Sequence, residues 1–425
     1  MPETVETTLA YAGQRDREDE LKGFRSRFCF PLNKTYFCGN SLGLQPSDAE
    51  TAVLRELADW RDLAIDGYWQ AKQPWMTYPK SMGGALSRLA GCLEEEVTVM
   101  NALTVNLHLL LLTFYRPTQQ RYKILIEAGA FPSDQFAVET QVAWYGRSPQ
   151  QTIIEVAPRE GEHLIREEDL IAAIDREKDT LALVLLGGIN YYTGQLFDLA
   201  AITKAAHKAG ALAGFDLAHA IGNAPLSLHD WGADFAVWCS YKYLNGGPGA
   251  AGGAFIHERH IKNPSLVRLG GWWGNDDMAR FQSDHHNLPT ANNAARAFIP
   301  KPTAEGWSMS TAQVFNMVSL KTSLALFDEA GFDRLQKKSR ALTAYLYSLL
   351  SEAGIQILTP AEPERRGAQL SLYFGDKGKS IQQQLAQKNI IVDYREPGVI
   401  RVSPAPLYNS FEDVYKFYHI LGQLS

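Results

Sequence analysis

Short apolar runs separated by amphipathic stretches fill the middle of the chain, the pattern of a parallel sheet wrapped by helices. Residues Lys123–Glu127 (KILIE), 181–186 (LALVLL), 211–215 (ALAGF), 233–239 (ADFAVWC) and 253–257 (GAFIH) read as strands. Each is too short for a helix and lacks a regularly polar face, which suits strands covered on both sides. Residues 198–209 read as a helix between two of them, and 105–115 form an apolar helical run. From about Thr311 the texture changes. Residues 311–330 and 332–353 carry long helical patterns, followed by strand-like pieces at 369–374 and 390–393. The pattern predicts a large α/β domain over 60–310 and a smaller α+β domain over 311–425. Residues 1–59 are expected to pack on the small domain.

Composition narrows the function classes. A chain of 425 residues is long enough for two cores. A charged fraction of 21% against 45% apolar residues is that of an ordinary folded protein, so disorder is not expected. The net charge of −6 leaves no broad basic surface and argues against a nucleic-acid partner. Cys29, Cys38, Cys92 and Cys239 lie far apart with no C-x-x-C pair, as free thiols in a reducing compartment do. The first 25 residues are polar and acidic, unlike a signal peptide. The longest apolar run, 107–114, spans two helical turns, which is short of a membrane span. Together these predict a cytoplasmic protein with no membrane partner.

The chemistry concentrates in 214–244, GFDLAHAIGNAPLSLHDWGADFAVWCSYKYL. Asp216 falls at the carboxyl end of one apolar run, and Lys242 lies just beyond the next. In open α/β sheets ligands sit outside the carboxyl ends of the strands, so both side chains face one crevice. By itself such a pair is also an ordinary salt bridge. It equally suits pyridoxal phosphate: the lysine amine forms a Schiff base with the aldehyde, and the aspartate faces the pyridine nitrogen, making the ring an electron sink. His219, three residues after Asp216, is placed to reach that ring, although a lone histidine is more often a satisfied core residue. Tyr241 and Tyr243 flank Lys242, and Gly246, Gly247 and Gly249 follow, which allows close backbone approach or simply a tight turn.

A phosphate site belongs at a helix N-terminus, and Asn101-Ala102-Leu103-Thr104 precedes the apolar helical run. The backbone N–H groups of Leu103 and Thr104 with the Thr104 hydroxyl make an anion cradle. On local sequence, Thr104 or Asn101 is equally an ordinary N-cap. In EAGAFPSDQ (127–135), Phe131 is placed to stack on a flat ring and Asp134 to make a polar contact, or the Phe-Pro turn simply packs on the core. Arg401, in VIRVSPAPLYNSF, is the best partner for a substrate carboxylate, because its planar fork pairs bidentately. The CGNSLGLQ loop (38–45), with Ser41, is placed to lie beside it.

With these segments quoted, the chain resembles the kynureninase family of the aspartate-aminotransferase fold (fold type I) of pyridoxal-phosphate enzymes. The resemblance runs through YFCGNSLGLQP (36–46), VMNALTVNLHLLL (99–111), EAGAFPSDQ (127–135), YYTGQ (191–195), FDLAHAIGN (215–223), LHDWGADFAVWCSYKYLNGGPG (228–249) and IRVSPAPLYNSFEDVYKF (400–417). It implies that Leu103 and Thr104 bind the phosphate and that Phe131, Pro132, Ser133 and Asp134 surround the ring. Asp216 pairs with the pyridine nitrogen, His219 supports the cofactor, Tyr241 reaches the phosphate and Lys242 carries the Schiff base. It also implies a homodimer with shared active sites, in which Trp272 and Thr311 reach the cofactor and Trp272 comes from the partner subunit. Ser41, Tyr68, Ser310 and Arg401 then contact the amino-acid substrate. Three positions depart from a common pattern. Tyr68 replaces a histidine of the animal members, Ser310-Thr311 replaces Ser-Asn, and Gly187, in the cofactor site, stands where a serine is often found. These changes leave the choice between kynurenine and 3-hydroxykynurenine open.

The reaction implied is hydrolysis of L-kynurenine to anthranilate and L-alanine in tryptophan catabolism and NAD biosynthesis, with Lys242 moving the α-proton and Tyr241 protonating the β-carbon. The main rival on the same fold is a cysteine desulfurase-like lyase. That chemistry needs a nucleophilic cysteine in the C-terminal part, and no cysteine follows Cys239.

Overall fold

The computed structural model describes residues 8–280 and 298–424. A seven-stranded sheet forms the centre: β1 Val97–Val99, β2 Lys123–Glu127, β3 Ile153–Val156, β4 Leu181–Gly187, β5 Leu212–Asp216, β6 Phe235–Trp238 and β7 Gly253–Ile256. Their order is β1-β7-β6-β5-β4-β2-β3. Only β7 runs antiparallel, to both β1 and β6; the pairs from β6 through β5, β4 and β2 to β3 are parallel.

The two-sided apolar character of these strands now has a cause. Alternate residues feed different cores: Leu125, Val184, Leu186, Phe215, Ala236 and Trp238 pack on one face. Ile124, Ile126, Leu183, Leu185, Phe235 and Val237 pack on the other. A strand buried this way shows no polar alternation because neither face meets water. The helix expected at 198–209 spans Leu199–Lys208, and Asp198 caps it by accepting the Ala201 N–H at 2.9 Å.

Two large-sheet strands went unpredicted. β1 has only three residues, too few to show a period, and β3 is an edge strand whose Ile153, Ile154 and Glu155 remain partly exposed.

A third core unites the C-terminal region with the start of the chain. Ala12 and Phe37 pack with Leu342, Leu346, Leu349, Leu372, Ile400 and Phe417. The predicted helix at 332–353 spans Phe332–Glu352, and its Leu342, Tyr345, Leu346, Leu349 and Leu350 recur at i+3 and i+4 to face this core. The Phe315–Ala330 helix instead buries Met317, Leu320, Leu324 and Phe327 with the large sheet. The core therefore changes over near Gly331.

The strand expected at 390–393 is divided. Ile390–Ile391 pairs with Thr35–Tyr36, whereas Asp393–Arg395 (β9) joins Leu370–Tyr373 (β8) and Val399–Val402 (β10) in an antiparallel sheet. Val392 lies between, its side chain in the third core. No helix among the described residues is long and apolar enough to cross a membrane.

Candidate active site

Four neighbouring strand ends meet at one edge of the large sheet. Glu127 ends β2, Gly187 ends β4 and Asp216 ends β5, with Gly187 and Asp216 directly paired in register. Lys242 follows β6 by four residues. Together they line a cleft with Leu103, Thr104, Phe131, Ser133, Asp134, Ile189, Tyr191, Ala218, His219 and Tyr241. Ten residues expected in a cofactor site thus share one cavity.

Each side chain has a local reason for its place. Pro132 opens the Pro132–Trp144 helix, which leaves Phe131 outside it in extended backbone with its ring at the cleft mouth. Pro132 itself does not line the cleft. The Leu103–Phe114 helix begins at the opposite wall. Its N-cap is Ala102, and no side chain caps it, so neither N-cap reading of Asn101 or Thr104 holds. Asn101 takes a positive φ of 47° and spends its amide on Asn106 at 3.0 Å. Leu103 and Thr104, at this helix N-terminus without a side-chain cap, line the cleft, where backbone N–H groups favour an anion.

The charges are unusual for a buried space. Lys242 is 8% exposed, with Nζ 3.1 Å from His219 Nε2 and 5.5 Å from the centre of the Phe131 ring. Burial first, then the Lys242 charge, pushes His219 well below the ordinary histidine range and keeps it neutral. Its Nε2 receives the lysine N–H, so the ring proton sits on Nδ1, a buried atom with no partner among the described residues. Asp216 accepts the Ala218 N–H at 2.6 Å. Burial raises Asp134 well above the carboxylate range, with Asp216 adding to the effect, and raises Asp216 less. Asp134 Oδ1 is also buried without a partner among the described residues. Glu127 accepts the Gly187 N–H at 2.9 Å, and burial raises it to about 7. Three carboxyl groups, the Lys242 amine and two polar atoms without a partner among the described residues thus share this space.

Beside the cleft lies an anchor built on the small sheet. Arg401 is 1% exposed; Nη1 donates to the Tyr191 carbonyl at 2.7 Å, and Nη2 donates to Ser41 Oγ at 3.1 Å and to the Asp393 carboxylate. Tyr191 meets Phe131 edge-on at 5.2 Å, linking the anchor to the cleft. The small domain grips this loop: Gln369 donates to the Tyr191 carbonyl, Ser371 Oγ to that of Tyr192 and Thr359 Oγ1 to that of Thr193. Gly43 brings Ser41 close, because its N–H reaches the Tyr241 carbonyl at 2.8 Å and a Cβ there would sit 2.4 Å from the Lys242 carbonyl.

Besides Pro132, Ser41 and Arg401, four more expected site residues, Trp272, Tyr68, Ser310 and Thr311, lie outside the cleft of their own chain. Trp272 is half-exposed, its ring tilted at 53° to that of Trp273, with Arg280 5.0 Å from its ring centre. Tyr68 lines a separate pocket with Trp60, Trp75 and the 312–316 segment, next to Ser310 and Thr311. Conversely, sequence reasoning assigned no role to Glu127, Tyr191 or Asp393. Glu127 ends a recognised strand beside Asp216, and the strand-end rule that selected Asp216 selects it too.

The comparisons bear on the family and the fold. The C-terminal part, residues 335–421, matches the model of the kynureninase C-terminal domain. The kynureninase of Myxococcus xanthus is 49% identical over 98% of this chain and 97% of its own. The chain belongs to the kynureninase family. A second family member, from Flavobacterium psychrophilum, is 46% identical over 98% of both chains. Two solved structures share the fold at 17% identity: a cysteine desulfurase from Thermococcus onnurineus (TM-score 0.75, 95% of this chain and 97% of that one) and a C-DES mutant with glycine covalently linked to its PLP cofactor (TM-score 0.78, 93% and 98%). The family's fold is thus the expected one, a large mostly parallel sheet with helices and a smaller domain beside it.

Proposed function

We propose that the protein hydrolyses L-kynurenine to anthranilate and L-alanine, with pyridoxal 5′-phosphate held in the strand-end cleft. The observation that carries this reading is the convergence of Lys242 and Asp216 on one buried cavity, next to Arg401. The residues fit the group. Leu103 and Thr104 offer an uncapped helix N-terminus to a phosphate, and Phe131 offers a face to a ring. Asp216 offers an anion to a ring nitrogen, and His219 Nδ1 and Asp134 Oδ1 are polar atoms awaiting a partner. Lys242 would hold the cofactor covalently. When bound, the cofactor supplies an electron sink conjugated to the substrate's α-carbon.

The chain's own groups do the rest. Arg401 pairs with the substrate carboxylate and fixes the α-carbon within reach of Lys242 Nζ, which takes the α-proton. Water adds at the γ-carbonyl. The Cβ–Cγ bond breaks, and the aroyl group, carrying the oxygen of the added water, leaves as the carboxylic acid. The β-carbon then needs one proton to become the alanine methyl. Burial raises the Tyr241 hydroxyl far above neutral, so it stays protonated and able to supply that proton. Neutral His219 adds no second positive charge beside Lys242.

A second copy of the chain completes the site in this reading, as a homodimer. Trp272 is 49% exposed and outside its own cleft, as a residue serving a neighbour's site would be. Tyr68, Ser310 and Thr311 belong to the same proposed shared surface. The ratio of kcat/KM for kynurenine and its 3-hydroxy form measures what Tyr68 and Thr311 select.

The test is product analysis of the purified, cofactor-loaded protein given L-kynurenine. Equimolar anthranilate and L-alanine are expected. Sulfur release from cysteine without anthranilate would replace this reading with the desulfurase-like one.

A further inference from the structure

The guanidinium of Arg401 does not stand alone. Asp393 lies directly opposite it in the β9–β10 pairing, so the backbone register itself delivers a carboxylate to the arginine. Asp393 also accepts the Ser41 hydroxyl at 2.5 Å and Arg395 Nη2 at 3.2 Å, and Ser41 in turn accepts from Arg401. With Tyr191 on Nη1, both terminal nitrogens of Arg401 are tied, and only buried Nε lacks a partner among the described residues. A long side chain held this way has one orientation available instead of several. The charges also close: Arg401 and Arg395 are positive and Asp393 negative, which leaves one net positive charge for one incoming carboxylate.

We propose that Asp393 is a positioning residue for substrate binding, holding the Arg401 fork, together with Ser41, in the orientation that receives the α-carboxylate. It touches Arg401 and Ser41 and not the reacting atoms. The proposal rests on the assignment of Arg401 to the substrate carboxylate.

The experiment compares two competitive inhibitors of the holoenzyme: an unreactive substrate analogue that keeps the α-carboxylate, and the same molecule decarboxylated. Arg401→Ala comes first and must weaken only the carboxylate-bearing inhibitor; equal losses would remove the Arg401 assignment itself. Asp393→Asn is then expected to weaken the carboxylate-bearing inhibitor and raise KM by about tenfold or more. The decarboxylated inhibitor should change by less than about twofold, with the cofactor's absorption spectrum kept and kcat reduced far less than KM rises. If Asp393→Asn loses its cofactor or fold, Ser41→Ala applies the same discrimination with an effect of about threefold. Arg401→Ala discriminating while neither other variant does would overturn the proposal. So would tighter carboxylate binding in Asp393→Asn, because Asp393 would then be a competitor for the fork.

Discussion

The strand-end cleft and the Arg401 anchor sit side by side yet are built on opposite electrostatic plans. In the cleft, burial raises Glu127, Asp134 and Asp216, and His219 and Asp134 each leave a polar atom without a partner. At the anchor the carboxylate moves the other way. Burial would raise Asp393, but Arg401, the Ser41 hydroxyl and Arg395 outweigh it and hold it below the ordinary range. The cleft holds carboxyl groups that burial disfavours, whereas the anchor's carboxylate is already paired and leaves one positive charge for the substrate. A site for a resident cofactor and a site for a passing substrate need that difference: one gains most of its order from its occupant, and the other must be ready before each turnover.

The comparison can be broken most severely at Lys242. Lys242→Ala should lower turnover by at least ~10⁴-fold and remove covalent cofactor attachment, because among the described residues no other amine lines the cleft. Full turnover in this variant would end the cleft half of the argument. Asp216→Ala should cost about 10²–10³-fold in kcat, the scale of losing one preorganised charge, with weaker cofactor retention seen by dialysis. Arg401→Ala should cost about 10²-fold in kcat/KM, carried by KM, since truncating one side of a buried charge pair typically costs 2–5 kcal/mol. An unchanged KM would detach the anchor from the substrate.

The smallest effect separates the two plans by stability. Glu127 binds its proton more tightly folded, at about 7, than its ordinary value of 4.5 allows in the unfolded chain. Its contribution to the stability of the cofactor-free protein is therefore fully present below 4.5 and is lost as pH rises through about 7. Glu127→Gln should be more stable than wild type by on the order of 3 kcal/mol near pH 8 and equal to it near pH 4, by denaturant titration.

The cleft was far more legible than the anchor, for a physical reason. Asp216, His219, Tyr241 and Lys242 come from one continuous stretch, and strand-end placement follows from apolar runs that a linear pattern reveals. The Asp393–Arg401 pair depends on cross-strand register in a hairpin whose first strand is three residues long. The predicted run at 390–393 hid the point where one strand gives way to the next. Tyr191 was quoted within YYTGQ without a role, because its importance lies in a carbonyl gripped by Arg401 and Gln369, and backbone acceptors leave no mark on composition. Trp272, Tyr68 and Thr311 escape reading from one chain for a different reason: their proposed partners lie on another copy.

The most direct measurement is borohydride reduction of the holoenzyme followed by peptide mapping. The account predicts the cofactor fixed to the peptide that carries Lys242, with Asp216→Ala weakening that labelling. Labelling of a different lysine, or none at all in a protein that still cleaves kynurenine, would contradict it.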